Sequence, residues 1–386
     1  MTYISGIAYW RPFLQTNNRL RRGSSLFLSA FLAIAGCAAL LGAPPVATAS
    51  VLASSGTAIA QEPVLSPPAP LPAGTYCEGP DADQPPGSPA KVMLVMLENN
   101  SYKKVIGSTN APFESILSKQ CGSATAAFGA THWSAANYLA ISAAEFPPNS
   151  PNGCGNVKAC TDSSANLFAQ LDTADLTWQA FMEAMPGACA TSSSGNYKIG
   201  HNPPIFYPTI APSQCRANDV GVADLTSTTG SFASSVAAGT LPNLSFVSPS
   251  LAYDGEGSGG GTAGLHSAAL HLQRMLTLVQ QGPDYESGNL DVFIAYDEGS
   301  GADATTGEDC TNQRLDLPIT NDLSAHQESC HVPLLLLNRY ASAAPDPTFF
   351  DHYSITRTIE HLFGLPYLAH AGDAQTNSLL GHFGLH

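Results

Sequence analysis

Short apolar runs that stop abruptly at acidic or amide residues recur along this chain, and they set its predicted architecture. Val92 to Leu97 is a continuous apolar run, short and branched enough for a buried strand of an α/β sheet, and it ends in Glu98, Asn99, Asn100 and Ser101. Leu290 to Tyr296 repeats the pattern and ends in Asp297, Glu298 and Gly299. Asn243 to Val247 and Leu334 to Leu337 read as further strands, the first running on into a polar, Gly-rich loop from Asp254 to Gly264. Ala111 to Leu117 predicts a short helix, and the Ala-rich stretch from Ala135 predicts another, with Ser134 at or near its N-cap. Ile355 to Phe363 predicts a C-terminal helix that stops at Gly364 and Pro366. Leu176 to Met182 is a strand or helix edge, residues 145 to 166 form a Pro/Asn/Gly loop, and His201-Asn202-Pro203-Pro204 reads as loop rather than packed core.

Ligands in open α/β folds sit beyond the carboxyl ends of the strands. Two strands ending in Glu-Asn and Asp-Glu therefore point to chemistry at one edge. If the two strands are neighbours, four oxygen ligands converge there, a density of negative charge that folds poorly without a cation. Each feature also has a plainer reading. The polar residues after Leu97 make an ordinary turn, Asn99-Asn100-Ser101 fits a glycosylation acceptor, Asp254 and Glu256 fit a solvated loop, and Ser134 fits a helix cap.

The ends of the chain change the count of usable residues. Arg19, Arg21 and Arg22 precede an apolar segment from Leu26 to Leu41, and Ala47-Thr48-Ala49 resembles a signal-peptidase site, so residues 1–49 read as a secretory leader. Ile34-Ala35-Gly36-Cys37 resembles a lipoprotein cleavage site, but the apolar run continues past Cys37, which favours release, into a secreted or periplasmic location, over anchoring. Residues 50–90 are rich in Ala, Pro and Ser and read as linker. Residues 91–386 are left for one large domain.

Four of the 15 basic residues lie before position 50, so the mature chain carries 11 against 30 acidic residues, a net charge of −19. Such a surface repels nucleic acid and anionic lipid, but a bound metal would reverse the field locally for a phosphate substrate. Beyond Cys37 there are eight cysteines: an even number behind a leader reads as disulfides, with pairing of neighbours the simplest scheme and Cys154–Cys160 the most local. No CxxC pair occurs, which argues against a zinc–thiolate site.

Seven short motifs, in series from residue 90 to 370, resemble the bacterial phosphoesterase family that contains acid phosphatases, phosphatidylinositol-3-phosphate phosphatases and phosphocholine-specific phospholipases C. They are Glu98-Asn99-x-Ser101-Tyr102, Thr131-His132-x-Ser134-x-x-Asn137-Tyr138-Leu139-Ala140, His201-Asn202-Pro203, Leu241-Pro242-Asn243-Leu244-Ser245-Phe246-Val247-x-Pro249, Asp297-Glu298-Gly299, His331-Val332-Pro333 and His352-Tyr353-Ser354. The resemblance implies a three-layer α/β/α sandwich around a largely parallel sheet, similar to the alkaline phosphatase superfamily. It implies that Glu98, Asn99, Asp297 and Glu298 hold one divalent metal and that Ser134 is the nucleophile. An oxygen-only set favours Mg²⁺, Ca²⁺ or Mn²⁺ over zinc. His331 and His201 are expected to bind phosphate oxygens or protonate the leaving group, with Asn137, His352 and Asp254 on the substrate side.

Two departures stand out. Trp133 and Ala136 replace the prolines of the family's HPSxPNY, and Glu256 and Gly257 stand where the family commonly has the His and second Asp of Asp-x-His-Asp, with His266 a potential substitute. The implied activity is a secreted phosphomonoesterase active at mildly acid pH, acting on a small phosphate ester or a phosphoinositide through a phosphoserine. The rival expectations are a phospholipase C-type phosphodiesterase and a non-catalytic protein that binds phosphate esters.

Overall fold

The computed structural model describes residues 76–79, 90–147, 154–256, 261–299, 310 and 325–385. The expected leader lies outside the described residues, as does most of the expected linker. Eight strands form one sheet: β1 (Lys91–Leu97), β2 (Gly122–Phe128), β3 (Trp178–Glu183), β4 (Asp219–Val222), β5 (Leu244–Ser248), β6 (Leu290–Tyr296), β7 (Leu334–Leu337) and β8 (Ala344–Asp351). Their order across the sheet is β4-β3-β5-β1-β6-β7-β2-β8. Every pairing is parallel except those of β7, which runs against both β6 and β2.

Alternation along β1 shows why both faces need helices. Val92, Leu94 and Met96 enter one core with Tyr138, Leu139 and Ile141 of the helix Ser134–Ala143 and Ile355 and Ile359 of the helix His352–Leu362. Met93, Val95 and Leu97 enter the other, with Phe113 and Leu117 of the helix Pro112–Gln120 and Leu272, Met275 and Val279 of the helix Gly261–Gln280. A strand buried on both faces reads as an unbroken apolar run, which is how β1 and β6 read in the sequence. The molecule is thus a three-layer α/β/α sandwich around a largely parallel sheet.

The central register fixes the site. β1 and β6 are neighbours, with Leu97 opposite Tyr296, so the next residues, Glu98 and Asp297, leave the sheet side by side. β7, running the other way, brings His331 to the same edge from its own start. The apolar stretch at 176–182 resolves as strand β3.

Several elements differ from expectation. Asp254 is fully buried, so the solvated-loop reading fails for it while exposed Glu256 keeps it, and a 20-residue helix runs from Gly261 to Gln280. His201 is packed, at 3% exposure, in a 3-10 turn. Ser134 is the first residue of its helix, and Trp133 occupies the cap position without a side-chain cap bond. His266 is exposed on the long helix.

Neighbouring cysteines pair as expected: Cys77–Cys121, Cys154–Cys160, Cys189–Cys215 and Cys310–Cys330. The first of these fastens Cys77, inside the stretch expected to be linker, to the domain, where Tyr76 packs edge-on against Phe113. Among the described residues no helix is long and apolar enough to cross a membrane.

Candidate active site

Carboxylates from separate chain segments meet beyond the carboxyl ends of β1, β5 and β6. Glu98, Asp254 and Asp297 are all fully buried. Burial, then the charges of Asp297 and Asp254, push the Glu98 carboxyl well above its ordinary range, and burial, then Glu298, does the same to Asp297. Asp297 Oδ1 accepts the Asn99 N–H at 2.9 Å, and Glu98 Oε2 accepts Asn99 Nδ2 at 2.9 Å. Glu98 Oε1 and Asp297 Oδ2 have no hydrogen-bond partner in the structure although both are buried. Neighbouring buried carboxyls that each keep an oxygen without a hydrogen bond are a costly arrangement for a protein alone and a good donor set for a hard divalent cation. The residues therefore fit such an ion.

Two close approaches hold this cluster together. Gly255, at φ +113°, lies so near β1 that a side chain there would come within 2.9 Å of the Glu98 carbonyl. Gly299 donates its N–H to the Ser329 carbonyl at 2.7 Å, and a Cβ on it would meet that oxygen at 2.5 Å.

Ser134 reaches the cluster from the end of β2. Its Oγ donates to Glu98 Oε2 at 2.8 Å, which orients the hydroxyl, and the residue is 8% exposed. The turn before it is strained: Trp133 has φ +78° and Asn99, across the cluster, φ +49°. Non-glycine residues in this region cost roughly 1–3 kcal/mol each and persist only where surroundings enforce them. Here Glu298 Oε2 enforces the Trp133 conformation by accepting its N–H at 3.0 Å, and the same oxygen lies 2.8 Å from His132 Nδ1. A proline at 133 could neither adopt that φ nor supply that N–H. The tryptophan that departs from the family motif is thus part of how this chain sets the turn.

The other expected site residues divide. His201 belongs with the cluster: its ring stacks on Tyr138, Nε2 lies 3.2 Å from Glu98 Oε1, and Nδ1 lies 4.0 Å from Asp254 Oδ2. The first contact is not aligned as a hydrogen bond, since both atoms lack one. Burial, then Lys198, lowers the His201 pKa well below the usual imidazole range, so the ring is neutral.

His331 is stacked between Tyr102 and Phe128, with Nε2 3.0 Å from the Thr125 carbonyl. That contact requires Nε2–H, and burial lowers the ring to about 4, so the neutral ring carries its lone pair on Nδ1. Asn137 and His352 work as braces. Asn137 Oδ1 accepts the N–H groups of Ala130 and Thr131, and Nδ2 donates to the Thr131 carbonyl. His352 Nε2 lies 3.0 Å from the Tyr296 carbonyl, and its Nδ1 accepts the Ala130 N–H at 3.4 Å, which ties the ends of β6 and β2 together.

His132, within the motif around Ser134, has no expected role in the sequence, yet its Nδ1 lies 2.8 Å from Glu298 Oε2. Its signal is position, two residues before Ser134. A cleft of about 1010 Å³ opens beside the cluster, lined by Asn99, Trp133, Glu298, Lys103, Lys104 and Leu265 among others.

The Phosphoesterase family matches residues 111–366 of the chain. The chain is 23% identical over 286 residues to a phosphatidylinositol-3-phosphatase of Mycobacterium tuberculosis, covering 74% of this chain and 80% of that protein. It is 24% identical over 302 residues to a probable acid phosphatase of Kluyveromyces lactis, covering 76% of this chain and 62% of that protein. Similarity also extends to the solved structure of a protein in the alkaline phosphatase superfamily from Vibrio parahaemolyticus, at 13% identity and a TM-score of 0.48, covering 80% and 77% of the two chains.

Proposed function

Because the chain belongs to the Phosphoesterase family and is a hydrolase of phosphoric ester bonds, we propose that it is a secreted, metal-dependent phosphomonoesterase whose nucleophile is Ser134. The observation that carries this reading is the 2.8 Å bond from Ser134 Oγ to Glu98 Oε2, inside a buried carboxylate cluster at the carboxyl edge of the sheet. Glu98, Asn99 and Asp297, with Glu298 beside them, would hold one divalent ion of the Mg²⁺, Ca²⁺ or Mn²⁺ type. When bound, such an ion lowers the pKa of the serine hydroxyl and neutralises the non-bridging phosphate oxygens.

The chain's own residues supply the rest. Glu98 directs the hydroxyl, whose oxygen attacks phosphorus as the ester bond to the leaving alcohol breaks. The alcohol leaves with a proton, and water then hydrolyses the phosphoserine to free phosphate and restores Ser134. His201, neutral at the working pH, is assigned to hydrogen bonding a phosphate oxygen. His331 offers Nδ1 on the same wall as an acceptor. Asn137 and His352 act as positioning residues, because each holds the backbone that leads from β2 to Ser134. The phosphate-ester names of the relatives support a substrate of that class, from small esters to phosphoinositides.

The test is hydrolysis of p-nitrophenyl phosphate against p-nitrophenyl phosphocholine, each with and without a chelator. The expected outcome is turnover of the monoester, loss of most of it on chelation and recovery on adding back Mg²⁺, Ca²⁺ or Mn²⁺. Preference for the diester would replace this reading with a phospholipase C-type one.

A further inference from the structure

A second group of ligating side chains lies at the same edge of the sheet, where β3 and β4 end, and the catalytic proposal makes no use of it. Glu183 is the last residue of β3, Asp224 lies two residues beyond β4, and His271 stands on the buried side of the helix Gly261–Gln280. One carboxylate oxygen from each acid and one imidazole nitrogen lie within 4.8 Å of one another. Glu183 and His271 are 3% and 5% exposed. His271 Nε2 comes to 3.0 Å from Glu183 Oε1, an ion-pair distance at which the two are poorly aligned for a hydrogen bond, and it has no other hydrogen-bond partner. A buried ring nitrogen without a bond calls for an explanation. Nitrogen and oxygen donors about 3 Å apart and not bonded to each other are spaced as two ligands of one ion held at about 2.0–2.2 Å from each.

The surroundings are built to aim these groups. Tyr253 stacks on the His271 ring with centroids 4.1 Å apart and planes 5° apart, which fixes its orientation. Glu183 Oε1 accepts the Leu225 N–H at 3.0 Å and Oε2 the Ser250 N–H at 2.9 Å, outer bonds of the kind that orient a ligating carboxylate. Asp224 is exposed, which gives an ion a way in and leaves room for water ligands.

We propose that Glu183, Asp224 and His271 form a second divalent-cation site, of the zinc class, separate from the Glu98 cluster. One imidazole and two carboxylates suit a borderline ion such as Zn²⁺, whereas Mg²⁺ and Ca²⁺ favour oxygen alone. The ion would clip the long helix to the turns after β3 and β4. Ser250, bonded to Glu183, starts the turn that delivers Asp254 and Gly255 to Glu98, so the clip also steadies one wall of the active site.

The test uses the full mature chain carrying Asp297→Ala, which disables the first cluster, stripped with EDTA and titrated with Zn²⁺ alone. The expected result is one zinc per chain, and a zinc-dependent rise in melting temperature. Adding His271→Gln should remove both. If that variant does not fold, Asp224→Asn at the exposed ligand should weaken zinc binding tenfold or more. Asp297→Ala that takes up no zinc overturns the proposal, as does zinc affinity unchanged by His271→Gln or Asp224→Asn. Because the ion is counted with the first cluster disabled, failure here leaves the catalytic reading to its own assay.

Discussion

Strand β6 carries a buried aspartate at each end, and the two live in opposite circumstances. Asp291, at the amino end, accepts Asn338 Nδ2 at 2.9 Å, and burial raises it to about 7. Asp297, just past the carboxyl end, accepts the backbone N–H groups of Asn99 and Glu298 and is crowded by the carboxylates of Glu98 and Glu298. Burial alone can be relieved by one proton on one acid. A cluster of acids at one edge needs several protons or one cation, and only the cation leaves the carboxylates able to orient a serine. The difference between a structural and a functional buried acid is therefore company rather than depth.

Exchanging each aspartate for its neutral isostere separates the two roles. Asp297→Asn should lower turnover of p-nitrophenyl phosphate by about a hundredfold or more, since it removes a proposed ion ligand. It should also raise the melting temperature of the chelated protein at neutral pH, because an unrelieved buried charge is gone. Asp291→Asn, whose amide oxygen can still accept from Asn338, should leave turnover within about twofold. Equal losses in the two variants, read by steady-state rates, would break the contrast.

A smaller effect sharpens the structural side. Glu114, buried against the Tyr296 hydroxyl at 3.1 Å, is raised by burial to about 7 from an ordinary 4.5. A carboxyl whose pKa is raised by folding stabilises fully below its unfolded value, and that contribution is lost as pH rises through the folded one. Glu114→Gln abolishes the titration. Between pH 4.5 and 7.5 the variant should gain on the wild type by up to roughly 3 kcal/mol, read as the difference between their melting temperatures at each pH. A difference that stays flat across that range would mean Glu114 is not held protonated.

Much of this was legible in the sequence because double-sided burial writes itself as an apolar run. β6 and β7 fall at the residues expected, β1 begins one residue earlier, and the motif series carries the family. What escaped notice escaped for physical reasons. β2, GSATAAF, packs small residues between neighbours and has one large side chain, so no hydrophobic run announces it. β8 contains Pro345 and Pro347, which argue against a strand except at an edge, where it lies. Leu265, Ala268, Leu272, Met275 and Val279 do recur at helical spacing, but the glycines before them pull the reading toward loop. His201, Asn137 and Asp254 were picked by motif, yet their burial and bonding follow from tertiary packing that a single sequence does not display. Glu183 and His271, 88 residues apart, meet only in the fold.

In the proposed reaction the phosphoryl group passes through Ser134. The direct measurement is to quench the metal-loaded protein in acid during turnover of a phosphomonoester, digest it, and weigh the peptide that contains Ser134. A phosphoryl group is expected on Ser134, absent without substrate and absent in Ser134→Ala, whose turnover should fall by several orders of magnitude. No phosphorylated Ser134 peptide from turning-over wild type, together with near-normal turnover by Ser134→Ala, would contradict it.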